Sequence, residues 1–95
     1  MDVRYSKCAQ VEVVTRRIAG ENILVPIRGR LADMQNLFTL NEVGSYIWEQ
    51  LSESTTADQI AERVANEFEI DRATALEDVE QFLKGLVEAG IVEEN

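Results

Sequence analysis

Phe38-Thr39-Leu40-Asn41-Glu42-Val43-Gly44-Ser45-Tyr46-Ile47-Trp48 is the stretch in which the hydrophobic period of this 95-residue chain changes. Up to Leu40 the apolar residues come in short runs rich in β-branched side chains; from Val43 they repeat at helical spacing through Ile47, Trp48 and Leu51. Asn41 stands at the change and suits a helix N-cap, because its side-chain oxygen can accept an orphan amide of the first turn. Gly44, inside that helix, costs about 1 kcal/mol against alanine, which implies close packing of another backbone there.

Upstream, three apolar runs predict strands near residues 10–18, 22–28 and 34–40. They are built on Val11, Val13, Val14 and Ile18, then Ile23, Leu24, Val25 and Ile27, then Met34, Leu37, Phe38 and Leu40. Ala19-Gly20-Glu21-Asn22 and Arg28-Gly29-Arg30 supply the turns between them. Connections this short cannot hold a crossover helix, so the strands form an antiparallel meander. Pro26 lacks a ladder donor and predicts either a bulge or a solvent-facing backbone edge in the second strand.

Downstream, Thr56-Ala57-Asp58-Gln59 has the form of a capping box and opens a helix near 57–68. Ala57, Ile60, Ala61, Val64 and Phe68 make its apolar stripe. Asp71 caps a third helix that carries Ala75, Val79, Phe82, Leu83, Leu86 and Val87 on one face and stops at Gly90. The apolar tail Ile91-Val92 is expected to pack back on the core. Strands grouped before helices predict an α+β fold in one domain, 1–95: winged-helix-like, a three-stranded antiparallel sheet followed by a three-helix bundle.

Composition narrows the chemistry. One cysteine, Cys8, and no histidine leave neither an internal disulfide, a Cys/His zinc set, nor the commonest general base. No apolar stretch is long enough for a membrane span and none suits a secretion signal, which predicts a cytoplasmic protein without a membrane partner. The net charge of −9 is divided unevenly. Residues 1–40 carry six basic and four acidic side chains, a net of +2, whereas residues 41–95 carry three basic and fourteen acidic, a net of −11.

The second half resembles a known family. Leu40-Asn41-Glu42-Val43-Gly44-Ser45-Tyr46-Ile47-Trp48-Glu49, Thr56-Ala57-Asp58-Gln59-Ile60, Asp78-Val79-Glu80-Gln81-Phe82-Leu83-Lys84-Gly85-Leu86 and Ala89-Gly90-Ile91-Val92 are similar, in order and spacing, to the motifs of pyrroloquinoline quinone biosynthesis protein D. The similarity covers roughly residues 38–93. It implies a non-catalytic peptide-binding module, a peptide chaperone that holds the leader of a ribosomally made precursor and presents it to a modifying enzyme, often a radical S-adenosylmethionine enzyme. It also implies that the leader binds as an extra strand in a groove between the third strand and the third helix. Carried onto this chain, that groove is lined by Leu37, Phe38 and Thr39 on one wall and by Asp78, Val79, Phe82, Leu83 and Leu86 on the other. No cofactor is implied.

Two other readings compete. A winged helix can bind DNA through its third helix, but here that helix bears Asp71, Glu77, Asp78, Glu80 and Glu88 against Arg72 and Lys84, and phosphates would be repelled. No nucleic-acid partner is therefore expected. The second alternative is a scaffold or oligomerisation subunit of a biosynthetic enzyme, and a homodimer stays open because strand edges can pair. The same helical stripe also serves as core, so Phe82, Leu83 and Leu86 have a structural role independent of any peptide. Arg16, Arg17, Arg28 and Arg30 suit either solvated strand edges or contact with an acidic partner.

Overall fold

The structure, a computed structural model, describes residues 3–9, 11–28 and 38–95. Among the described residues six strands and three helices follow in the order β1 (Arg4–Lys7), β2 (Glu12–Ile18), β3 (Glu21–Arg28), β4 (Phe38–Leu40), α1 (Glu42–Gln50), β5 (Thr55–Thr56), α2 (Ala57–Phe68), α3 (Arg72–Glu88), β6 (Val92–Glu94). The fold is mixed α and β with the expected three-stranded antiparallel sheet and three helices, but a second sheet accompanies them.

The first sheet is the meander β2-β3-β4. Its hairpin closes through Ile18 opposite Glu21, with Ala19 and Gly20 both at positive φ, 53° and 84°, the geometry of a type I′ turn. Near its other end the register shifts between Glu12, opposite Arg28, and Val13, opposite Pro26, so a bulge sits beside the proline that cannot donate to the ladder. Phe38–Leu40 pairs with Asn22–Leu24 at the end of the expected third strand; residues 34–37 of that expectation, Leu37 among them, lie outside the described residues.

The second sheet, β5-β1-β6, corrects the expectation of one sheet. Tyr5 lies opposite Thr55 on one side and Glu94 on the other, so β1 is the central strand. The first strand near 10–18 is likewise shortened to Glu12–Ile18, with β1 a separate element before it. Arg4-Tyr5-Ser6-Lys7 has no alternating apolar pattern; its extended form comes from pairing with segments fifty and ninety residues away rather than from local preference.

The helix ends follow local chemistry. Asn41 Oδ1 accepts the Gly44 amide at 2.7 Å, and Thr56 with Gln59 forms the complete capping box. At the end of α3 the amides of Gly90 and Ile91 donate to the carbonyls of Val87 and Leu86, with Gly90 at φ 82°, which is a full Schellman motif. That turn carries Ile91 and Val92 back into the core, where they are 1% and 3% exposed, and straight into β6.

The core lies between the helices and one face of the meander. Leu24 and Leu40 enter it from the sheet; Ile47, Leu51, Ile60, Val64, Val79 and Leu83 come from the helical half. Trp48 is buried among them, and the Lys7 ammonium sits 4.4 Å from its ring centroid, tying β1 to α1 by a cation–π contact. Burial lowers the Lys7 pKa, with Glu49 opposing that shift. No helix among the described residues is long and apolar enough to cross a membrane.

Ala19 occupies a left-handed position that favours Asn or Gly, so Ala19→Asn should raise stability by about 0.5–1 kcal/mol. Urea denaturation checks this; a loss of stability would contradict the turn geometry. Asp71 gives a pH-dependent case. Its carboxylate accepts the Thr74 amide at 2.9 Å and the Thr74 hydroxyl at 2.8 Å. Those bonds, the backbone one foremost, hold its pKa below the ordinary aspartate range. Because the folded value is the lower one, this stabilisation is complete above the ordinary range and is lost as pH falls through the folded value. The stability gap between wild type and Asp71→Ala should therefore narrow on acidification, and a pH-independent gap would refute the assignment.

Candidate functional site

β4 is an outer strand of the meander among the described residues, so one side of its backbone is open for pairing. The chain passes from Leu40 through the Asn41 cap directly into α1, which fixes that edge against the start of the helix. α3 completes the site through Phe82. The half-buried Phe82 ring packs on the core and approaches Gly44 so closely that a Cβ there would lie 3.2 Å from its Cε1. The glycine therefore admits an aromatic side chain from α3, not a neighbouring backbone as its position in a helix had implied.

Two depressions flank this contact and share Asn41 and Phe82. One, of about 580 Å³, runs from the β2–β3 turn along Thr39 and Leu40 and includes Arg17, Glu21 and Asn22. The other, of about 440 Å³, lies between α1 and α3 and is lined by Val43, Gly44, Ile47, Asp78 and Gln81. Together they form a trough with an open strand edge, an aromatic at its centre, Asp78 at one end and Arg17 with Glu21 and Glu42 at the other. Asn22 Nδ2 donates to Ser45 Oγ at 3.0 Å and braces the β3 side of the trough against α1.

The site residues expected from the sequence divide into three groups. Thr39 is exposed beside the trough, Asp78 and Phe82 line it, and Phe38 is half-buried on the core. Val79, Leu83 and Leu86, at 0%, 0% and 2% exposure, lie inside the core on which Phe82 rests. Leu37 lies outside the described residues. Asn41, Val43, Gly44 and Gln81 line the trough without having been singled out as site residues, because in the sequence they read as cap, stripe and helix surface.

A further cavity of about 700 Å³ lies along another side of α3, between Tyr5 of β1, Thr56 and Glu94. Asp58, Glu80 and Glu88 outnumber Lys84 on its walls. Burial raises the Tyr5 pKa, and Glu94 and Glu80 add to the shift, so the phenol stays protonated there. This cavity is not legible in the sequence, because its walls come together only through the pairing of β1 with β6. Among the described residues no group of three Cys, Asp or Glu side chains could hold a metal ion.

The same fold occurs in solved structures. TbiB1 in complex with the TbiA(β) leader peptide is 27% identical, covers 93% of this chain and 94% of its own, and superposes with a TM-score of 0.69. Lasso peptide synthetase B1 complexed with a leader peptide is 17% identical over 94% of this chain and 96% of its own, with a TM-score of 0.70. The PqqD part of Methylobacterium extorquens PqqCD, described as a functional, stand-alone recognition element for ribosomally synthesised and post-translationally modified peptides, is 17% identical. It covers 95% of this chain and 88% of its own, with a TM-score of 0.69. Comparison with curated proteins gives no match. The family profile of coenzyme PQQ synthesis protein D matches residues 21–92, which include β3, β4, all three helices and the trough lining apart from Arg17 and Gly20, and the chain therefore belongs to the PqqD family.

Proposed function

We propose that this protein is a non-catalytic recognition module that binds the leader segment of a ribosomally made precursor peptide and presents the rest of it to a modifying enzyme. The observation that carries this reading is the open edge of β4 beside the Phe82 trough. An extended peptide added there gains main-chain hydrogen bonds, while alternate side chains enter the depressions on either side of Phe82. Membership of the PqqD family and the likeness to TbiB1 solved with a leader peptide support it.

Within this reading Thr39 and Phe38 lie on the strand that pairs with the leader, Phe82 is the apolar contact at the centre, and Asp78 accepts a basic leader residue. Val79, Leu83 and Leu86 hold Phe82 in position from the core, and Leu37 is assigned to leader binding. A radical S-adenosylmethionine enzyme suits the role of modifying partner, and the cytoplasm, where such precursors are made, suits the location. The arrangement of the meander beside α2 and α3 is winged-helix-like, but the exposed carboxylates of Glu77, Asp78, Glu80 and Glu88 disfavour a nucleic-acid ligand on α3.

Calorimetric titration with the leader of the precursor encoded beside this gene should give saturable binding; no heat at high micromolar peptide would end the proposal. Phe82→Ala should weaken that binding by about tenfold while leaving the circular dichroism spectrum unchanged. In Gly44→Ala the added methyl would lie 3.2 Å from both Phe82 Cε1 and Asn41 Oδ1, so it crowds the aromatic and the helix cap together; stability should fall by about 1 kcal/mol and leader affinity by about tenfold. Unaltered affinity in both variants would place the peptide elsewhere on the molecule.

A further inference from the structure

The meander has two faces and only one is occupied by the core. Directly paired residues share a face: Leu24, which is fully buried, lies opposite Thr15 and Phe38, whereas Ile23 lies opposite Arg16 and Thr39, and Val25 opposite Val14. Val14, Arg16, Ile18, Ile23 and Val25 therefore occupy the face turned away from the helices. Ile18 is 52% exposed, and Val14, Ile23 and Val25 are half-buried yet absent from the described side chains that pack on the core. Among the described residues Arg16 has no ion-pair partner.

We propose that this outer sheet face is the surface on which the modifying enzyme docks, and that a bound leader enlarges it; the inference rests on the leader-binding reading above. Two observations select this occupant. The strip spans β2 and β3, about 23 Å by about 10 Å, on the order of 250 Å². That is well short of the roughly 800 Å² per partner of a stable complex, and it suits a brief handover better than a permanent dimer. Glu21, opposite Ile18 on the same face, balances Arg16, so the strip carries no net charge and charge does not choose the occupant. Finally, the face is continuous with the trough. A leader paired on β4 becomes a further strand of the same sheet, and its residues beside Thr39 join Ile23 on the outer face. An enzyme seated there touches module and leader together and prefers the loaded form; by linkage the leader is then held more tightly when the enzyme is present.

The test uses the full chain, its leader peptide and the purified modifying enzyme encoded with that precursor. Ile18→Lys, which sets a lysine opposite Glu21, and Ile23→Thr both keep strand-compatible side chains. Each should weaken enzyme binding by about tenfold while leader affinity and circular dichroism match wild type. Enzyme affinity unchanged in both variants would overturn the inference. So would sedimentation showing a wild-type dimer that Ile18→Lys converts to monomer, since a second copy would then cover the face. If wild type fails to bind the leader, the functional reading falls by itself, and the enzyme titration without peptide still reports on the face.

Discussion

The 2.7 Å bond from the Gly44 amide to Asn41 Oδ1 is the contact on which the trough depends. It stops a strand and starts a helix within one residue, so the direction of β4 and the direction of α1 are set together, without a loop to blur the angle between them. Gly44, the donor in that bond, is also the position whose missing side chain lets Phe82 of α3 approach. Strand edge, first helix and third helix thus meet at one capped turn, and each wall of the trough is held by packing that the core requires anyway.

The second sheet works from the other end of the chain. β1 gathers β5 and β6 on its two sides, which ties the N-terminal segment to the entrance of α2 and to the residues after α3. The capping box at Thr56 and the Schellman turn at Gly90 aim those two short strands, so helix termini organise a sheet that has little strand character of its own. Arg4 strengthens the junction by donating to the Ser54 hydroxyl and carbonyl at 3.0 and 2.8 Å. The consequence is that all three helices are anchored at their ends while, among the described residues, the meander keeps one face off the core and one edge unpaired.

What could be read from the sequence follows the range of the interactions. Asn41, Thr56, Asp71 and Gly90 mark helix ends through contacts within four residues, and all four act as their chemistry predicts. The Ala19-Gly20 turn and the bulge at Pro26 are equally local. β1, β5 and β6 were not legible because each is two to four residues long and becomes a strand only through distant partners. The trough was legible only through the family resemblance, which implies Phe82 and Asp78 on the helix and Thr39 on the strand. Its depth was not, since the same stripe that suggested a groove wall sends Val79, Leu83 and Leu86 wholly into the core. Periodicity identifies the buried side of a helix, but it does not show where that side ends and a ligand-facing margin begins.

The Lys7–Trp48 contact gives the molecule an internal reporter. Trp48 is the only indole in the chain, and its ring is screened from the trough by burial while a cation rests on it from β1. Its fluorescence therefore senses whether the N-terminal strand is seated, because releasing β1 removes a charge from beside the excited ring. Emission would follow fraying of the second sheet and remain largely silent to events at the edge of the meander, so the optical signal separates the integrity of the scaffold from changes in the trough.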